Sequence, residues 1–478
     1  MTETPTFPGK TLVVIACYGT GNDRFLARVI QEYRAIPFDI DIVVCSNIPK
    51  DLGPDIEVIV GLPTRNPRSL PFAPRRVLAD RIDRYDLFIY SEDDILITER
   101  NLRAFSRATC LLGGDEVAGF LRFEKGSDGS THFPDVHHRY HWDAASIKRS
   151  QGHTFAYFTN EHAACYLLTR AQLAQVVASG GFLVEPHEGK YDMLETAATD
   201  PYTQCGLRKL ICISHLNDFL VHHLPNKYVG KLGIEAGEVL LQTAALSEMA
   251  ENGRTSTPLF DAAPTRMGLA FSKSFAKNYY EPVRTDVLSL IERRAGSVLS
   301  IGCGWGAAED WLSSKAIKVV AVPVDQVIAA CAKARGLRVV LGEFPAVRQQ
   351  LEGEKFDYLL LSNVLHLVDE PVEFLSVFSE LLTPNAKVVA VVPNLCRIPD
   401  LWRSIRDIGY PDDQEHFEMV GIHRTSELLV RKWLRSAGFT IEKVINVVPD
   451  RVRSASRATL GLLDSLLAEE FVAVAKAN

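Results

Sequence analysis

Three consecutive carboxylates end an apolar run in Asp86-Leu-Phe-Ile-Tyr-Ser-Glu92-Asp93-Asp94-Ile95. Neighbouring carboxylates repel one another, and holding them at the end of a buried strand is costly without a cation. A hard divalent ion, Mg²⁺ or Mn²⁺, bridging the acids to a diphosphate would remove that cost. A solvated acidic turn is the plainer alternative. A second chemistry-bearing stretch is Val298-Leu-Ser-Ile-Gly-Cys-Gly-Trp-Gly306. Strand residues run there into Gly302, Gly304 and Gly306, and helix-forming residues follow. Missing side chains let a ligand lie against the backbone, and the helix start offers free N–H groups to a carboxylate or phosphate. Gly302, Gly304 and Ala307 also satisfy the dinucleotide pattern, so the turn alone leaves the ligand class open. His366 and His423 are titratable candidates for a base that would activate a hydroxyl nucleophile.

Both stretches need strands and helices in alternation to place them. Thr11–Cys17, Asp41–Ser46, Ile56–Val60 and Asp86–Glu92 read as strands, with helical segments over Phe25–Tyr33 and Phe72–Tyr85. The continuous apolar character of the first run suits a strand covered on both faces of a parallel sheet. Further strands are predicted over Val117–Glu124, Phe155–Asn160 and Ala163–Thr169, with helices at Arg170–Ser179, Thr203–Lys209 and Glu235–Glu251. Gly126–Gln151 is polar and reads as a loop that could cover an acceptor. Asn252–Pro258 is rich in turn residues and marks a break between domains. The fold class is therefore α/β in two domains: residues 1–250, a linker at 251–266, and residues 267–478.

The second half resembles class I S-adenosylmethionine-dependent methyltransferases with a Rossmann-like sheet. The residues that carry the likeness are Val298–Gly306, the strand Phe356–Ser362 with its exit Asn363–Asp369, and Leu381–Lys387 leading into Val388–Asn394. This resemblance implies S-adenosyl-L-methionine as cofactor, with Gly302, Gly304, Gly306, Asp325, Glu343 and Asn363 around it. Two departures stand out: Ser300 where an acid is common, and Pro323 where the ribose-binding acid usually stands, two positions before Asp325. Cys396–Thr425 would roof an acceptor pocket, and Tyr279, Tyr280 and Arg284 would lie near the cofactor's cover.

The first half is similar to GT-A glycosyltransferases through Tyr90-Ser-Glu-Asp-Asp-Ile95, with Glu at the first acidic position. That resemblance implies a nucleotide-sugar donor held through Mn²⁺ or Mg²⁺ by Glu92, Asp93 and Asp94, with Asp94 foremost. It also implies a late histidine on the metal, His222 or His223. A carboxylate ahead of a helix would act as catalytic base, with Glu195 the best match and Asp192 and Asp200 behind it.

A net charge of −7 gives no reason to expect a nucleic-acid partner. Nine cysteines without a C-x-x-C pair read as reduced thiols of a cytoplasmic protein. The N-terminal apolar run ends at Tyr18, too short for a spanning segment, which leaves peripheral membrane association open. The expectation is a cytoplasmic enzyme joining glycosyl transfer to methylation of a saccharide or glycoconjugate, in a setting such as bacterial surface polysaccharide synthesis. A sugar nucleotidyltransferase with a methyltransferase, or a non-catalytic carbohydrate-binding scaffold, are the alternatives.

Overall fold

The computed structural model describes residues 9–253, 277–292, 294–397 and 412–477. The chain divides into two compact units, Met1–Thr255 and Ser256–Asn478. Most of the expected linker, the start of the second domain at 267–276, and residues 398–411 of the expected roof lie outside the described residues.

In the first unit the strands are β1 (Lys10–Cys17), β2 (Asp39–Ser46), β3 (Ile56–Val60), β4 (Leu87–Glu92), β5 (Ile95–Leu96), β6 (Glu116–Ala118) and β7 (Leu121–Lys125). They continue with β8 (Thr131–Phe133), β9 (Trp142–Ser150), β10 (His153–Phe158), β11 (Cys165–Thr169), β12 (Arg208–Cys212), β13 (Leu220–His223) and β14 (Ile234–Glu235). The central sheet has the order β11-β4-β1-β2-β3. Its members β3, β2, β1 and β4 are parallel, and β11 runs antiparallel on β4. Leu12 to Ile15 and Leu87 to Tyr90 are wholly buried, as continuous apolar runs in a two-sided parallel sheet should be. Chain order reverses direction at β1, so the crevice between the ends of β1 and β4 is the switch point where such sheets receive ligands.

Two smaller sheets, β6-β12-β10-β9 and β14-β8-β7-β13-β5, carry the remaining strands. Several local expectations change here. Gly126–Gln151 is not a plain loop, because it contributes β8 and β9. Many of its polar residues lie on β9, a half-exposed strand paired to β10. The helix expected at Thr203–Lys209 lies one segment earlier, over Met193–Thr203, and Arg208 to Cys212 form a strand. Asp192 explains the shift: its carboxylate caps the helix by accepting from the N–H groups of Leu194 and Glu195. The helix expected over Phe72–Tyr85 is broken into a 3₁₀ turn at Pro67–Phe72, an α-helix at Ala73–Ala79 and a second 3₁₀ turn at Ile82–Arg84.

The second unit holds β15 (Ser297–Cys303), β16 (Lys318–Pro323), β17 (Arg338–Val339), β18 (Phe356–Ser362), β19 (Leu382–Pro393), β20 (Phe439–Val447) and β21 (Glu470–Ala477). They form one sheet in the order β17-β16-β15-β18-β19-β21-β20. All neighbours are parallel except β21, which is antiparallel to both β19 and β20. Apolar layers cover both faces, one including Leu299, Ile301, Leu359 and Leu361, the other Val298, Leu360, Val389 and Val391. Chain order reverses at β15, which puts this sheet's switch point between the glycine turn and the end of β18.

Candidate functional sites

In the first unit the acidic triplet occupies the switch point. Asn22, at the start of the helix Asp23–Ala35, donates its side-chain amide to Asp93 Oδ1 at 2.7 Å and Asp94 Oδ2 at 3.1 Å. Burial, then the charge of Asp94, pushes Glu92 up to about 8, and burial pushes Asp93 up to about 6. Asp94 Oδ1 is buried with no hydrogen-bond partner among the described residues. Directly after the triplet, β5 pairs with β13 and sets His223 opposite Ile95. His223 Nε2 thereby comes within 3.4 Å of Asp94 Oδ2, while its Nδ1 lies 2.6 Å from Glu124 Oε1.

Adjacent strand residues face opposite ways, so His222 is directed elsewhere. Its ring stacks on Phe123 at 4.8 Å and its Nε2 meets Asn226 Oδ1 at 3.0 Å. The expected metal ligands thus separate: Asp93, Asp94 and His223 stand together, and His222 does not join them. Among the described residues no group of three or more His, Cys, Asp or Glu is spaced to hold a metal ion. Asn22 and Glu124 are additions that the sequence reading missed. Asn22 had a signal, since it closes the Tyr18-Gly-Thr-Gly turn, whereas Glu124 had none.

Close by is a small cavity of about 70 Å³, lined among others by Arg122, His137, Tyr140, Asn160, Glu195 and Tyr228. Arg122 makes a two-pronged ion pair with Asp135, Nε to Oδ2 at 3.0 Å and Nη2 to Oδ1 at 2.5 Å. Burial would raise Asp135, but the Arg122 charge overrides it and holds the carboxyl low. Burial, then His138, lowers His137 to about 4, so its ring is a neutral donor or acceptor at pH 7. Glu195, in the first turn of its helix, lines this cavity.

Asp200 does not share that setting. It is wholly buried and paired with Arg75 at 2.7 Å, whose guanidinium also donates to the carbonyls of Phe182, Thr196 and Ala197. The pair fastens the helix Met193–Thr203 to Arg75.

The second unit builds its site on the glycine turn. Gly302 has φ +78°, and a Cβ there would lie 1.9 Å from Val364 Cγ1. Gly306 has φ +87° and opens the helix Ala307–Ser313. At Gly304 a Cβ would lie 2.0 Å from the Tyr279 carbonyl oxygen, which accepts from Trp305 N–H at 2.9 Å. The space expected to admit a ligand at Gly304 is filled by the chain's own segment Lys277–Glu281. Lys277 Nζ donates to Glu281 Oε1 and to the Ser362 carbonyl, both at 2.6 Å. Trp305 Nε1 donates to the Glu281 carbonyl at 2.8 Å, and Asn363, at φ +52°, directs its amide to Glu281 Oε1 at 3.4 Å.

Other expected positions are placed as follows. Asp325 Oδ1 caps the helix Gln326–Ala334 from Val327 and Ile328 N–H at 2.7 and 2.8 Å. Glu343 precedes the helix Phe344–Gln350 and is exposed. His366 is 1% exposed. His423 is also buried, with Nδ1 2.9 Å from Asp413 Oδ2 and Nε2 2.9 and 3.0 Å from the carbonyls of Val368 and Asp369. It stacks on Phe417 at 4.4 Å and meets Trp433 edge-on. Both ring nitrogens are thus engaged within the fold.

The strand order with an antiparallel seventh strand, together with the glycine turn at its switch point, defines a methyltransferase-type Rossmann layer. Residues 274–444, within the second unit, match the family model described as a methyltransferase domain. Among solved structures, the chain is similar to a SAM-dependent methyltransferase from Archaeoglobus fulgidus, at 16% identity over 40% of this chain and 91% of that one, with a TM-score of 0.31. A Mesorhizobium loti S-adenosylmethionine-dependent methyltransferase has 16% identity, coverage of 40% and 96%, and a TM-score of 0.31. Magnesium protoporphyrin IX methyltransferase of Synechocystis, with bound SAH, has 14% identity, coverage of 41% and 82%, and a TM-score of 0.30. No curated protein matches the chain significantly. Among the described residues no helix is long and apolar enough to cross a membrane.

Proposed function

We propose that the chain joins two transferases. The second unit methylates a saccharide or glycoconjugate from S-adenosyl-L-methionine, and the first transfers a sugar from a nucleotide-sugar donor. Synthesis of bacterial surface polysaccharide or a related glycoconjugate is the setting that suits this pair. The observation that carries the reading is the chemistry at the two switch points: an acid triplet with an orphaned Asp94 oxygen in one unit, a glycine turn beside Asn363 in the other.

When bound, S-adenosylmethionine supplies a methyl group on a sulfonium. The protein's own task is then to orient that methyl against a nucleophile and keep water out. Gly302 and Asn363 supply left-handed backbone at the two strand ends, and the Lys277–Glu281 segment closes over the turn. In the first unit a divalent ion, Mn²⁺ or Mg²⁺, would neutralise a departing diphosphate. The donor set supports this in part: Asp94 has an unsatisfied oxygen, and Glu124 fixes the ring of His223 beside it. Glu195, in a cavity that also presents Tyr140 and Tyr228, is suited to accept a proton from an acceptor hydroxyl. An apolar cleft of about 470 Å³ beside Ile59, Leu62 and Phe72, past the end of β3, offers room for a donor's base.

Incubation of the full chain with nucleotide-sugar donors, saccharide acceptors and methyl-labelled S-adenosylmethionine, with and without Mn²⁺, tests both halves by mass spectrometry. A glycan carrying both the added sugar and the label is expected. Label on no saccharide would refute the acceptor class, and donor turnover unaffected by excess chelator would refute the ion.

A further inference from the structure

Lys277 and Glu281 are a charged pair with no evident need to be where they are. The Lys277 side chain is 1% exposed and that of Glu281 17% exposed. Taking an ammonium out of water is costly, and a packed apolar side chain would fasten the segment at least as well. The pair is nevertheless tied to both sides of the switch point. Lys277 Nζ reaches the Ser362 carbonyl at the end of β18, and the Glu281 carbonyl takes the indole N–H of Trp305 beyond Gly304. Asn363, in left-handed backbone, directs its amide at the same Glu281 oxygen that Lys277 holds. Left-handed non-glycine residues are uncommon and gather where a site is under constraint.

One cation and one anion, both poorly hydrated and 2.6 Å apart, form the complement of an α-amino acid zwitterion. We infer that Lys277 and Glu281 receive the amino-acid end of the cofactor, Lys277 taking its carboxylate and Glu281 its ammonium. Each side chain exchanges the other for the ligand's opposite charge, so neither is left buried and unpaired, and the net charge of the cluster is unchanged. The Ser362 carbonyl keeps Lys277 anchored through the exchange, and the indole N–H of Trp305, donated to the Glu281 carbonyl, keeps Glu281 in place. Among the described residues, Glu309 and Cys303 lie within electrostatic reach of both, and Glu470 within reach of Glu281. Burial raises the pKa of all three. This inference rests on the cofactor reading above and names the residues that would read its polar end.

Isothermal titration of the full chain with S-adenosylhomocysteine and with 5′-methylthioadenosine separates the roles, because only the first carries the amino-acid end. In Lys277→Met and in Glu281→Gln, affinity for S-adenosylhomocysteine is expected to fall about 10-fold or more, as for the loss of a charge-assisted hydrogen bond. Affinity for 5′-methylthioadenosine should hold within about twofold, a shift far below one such bond. Equal weakening for both ligands would mean that the pair merely fastens the segment, and unchanged affinity for both would remove it from the site. Glu281→Gln keeps the side-chain shape and the backbone bond to Trp305, so it decides the matter if Lys277→Met does not fold. Wild-type protein that binds neither ligand would overturn the cofactor reading, and this inference with it.

Discussion

The Ser300 hydroxyl donates to Glu309 Oε1 at 2.6 Å, inside the second unit where neither residue meets solvent. The first departure from the methyltransferase pattern, a serine on β15, is therefore matched by a carboxylate from the helix Ala307–Ser313. Burial raises Glu309 even though Ser300 bonds to it. Restoring an acid at position 300 should hence do harm. Ser300→Asp would place a second carboxylate against Glu309, and we expect a loss of about 2–4 kcal/mol, within the range for an uncompensated buried charge. Adding Glu309→Gln should recover much of it. Thermal unfolding of the two single variants and the double variant gives the coupling, and additive losses would refute the pairing.

Asp94→Ala removes the carboxylate whose Oδ1 has no partner among the described residues and whose Oδ2 meets Asn22 and His223. Nucleotide-sugar turnover should drop about 10²-fold or more, a typical loss when charge stabilisation of a leaving group is removed. His222→Ala, on the opposite face of β13, should change turnover by less than about threefold, since no transition-state contact is lost. Equal losses in the two variants would contradict the strand geometry.

Gly304→Val tests the close approach of Tyr279. A β-branched side chain built 2.0 Å from the Tyr279 carbonyl must displace the Lys277–Glu281 segment. S-adenosylmethionine binding should be abolished in calorimetry while metal-dependent sugar transfer is retained. Loss of both activities in a folded variant would contradict the division into two units.

Glu195 and Asp200, both acids of one helix, should separate cleanly. Asp200→Ala leaves Arg75 buried without its partner and should destabilise the first unit by about 3–5 kcal/mol. Glu195→Gln, in the cavity, should leave the unfolding midpoint nearly unchanged and reduce sugar transfer to the acceptor about 10²-fold, as for a lost general base. Denaturant unfolding and acceptor kinetics distinguish the two.

Lys209 provides a pH signature. It is 2% exposed, its Nζ donates to the Glu161 carbonyl at 2.9 Å, and burial lowers its pKa to about 8. The unfolded chain holds this proton up to the ordinary lysine range near ~10.4, so between the two values it binds more protons than the folded state. Wild-type stability should accordingly rise relative to Lys209→Met as pH increases from about 8 towards 10, and the difference should be flat below about 7. Unfolding midpoints of both proteins across that range check the sign.

Runs of apolar residues such as Leu12–Ile15 and Leu359–Leu361, alternating with helical segments, suit central parallel strands covered on both faces, so the α/β class was legible from sequence. So was the location of each candidate site, because an acid triplet and a glycine turn both stand directly after such runs. What the sequence could not supply was direction and pairing. His222 and His223 are equivalent in the chain, and the β5–β13 register alone turns one towards Asp94 and the other onto Phe123. Glu195 and Asp200 lie in one helix, yet Arg75, from more than a hundred residues earlier, claims only the second. Gly304 signals a close approach without saying of what, and the answer here is Tyr279. Ser300 looked like a missing acid until the helix beyond the turn brought Glu309 to it. Each of these outcomes depends on which distant side chain fills the neighbouring space, and packing between elements fixes that only once the sheets have formed.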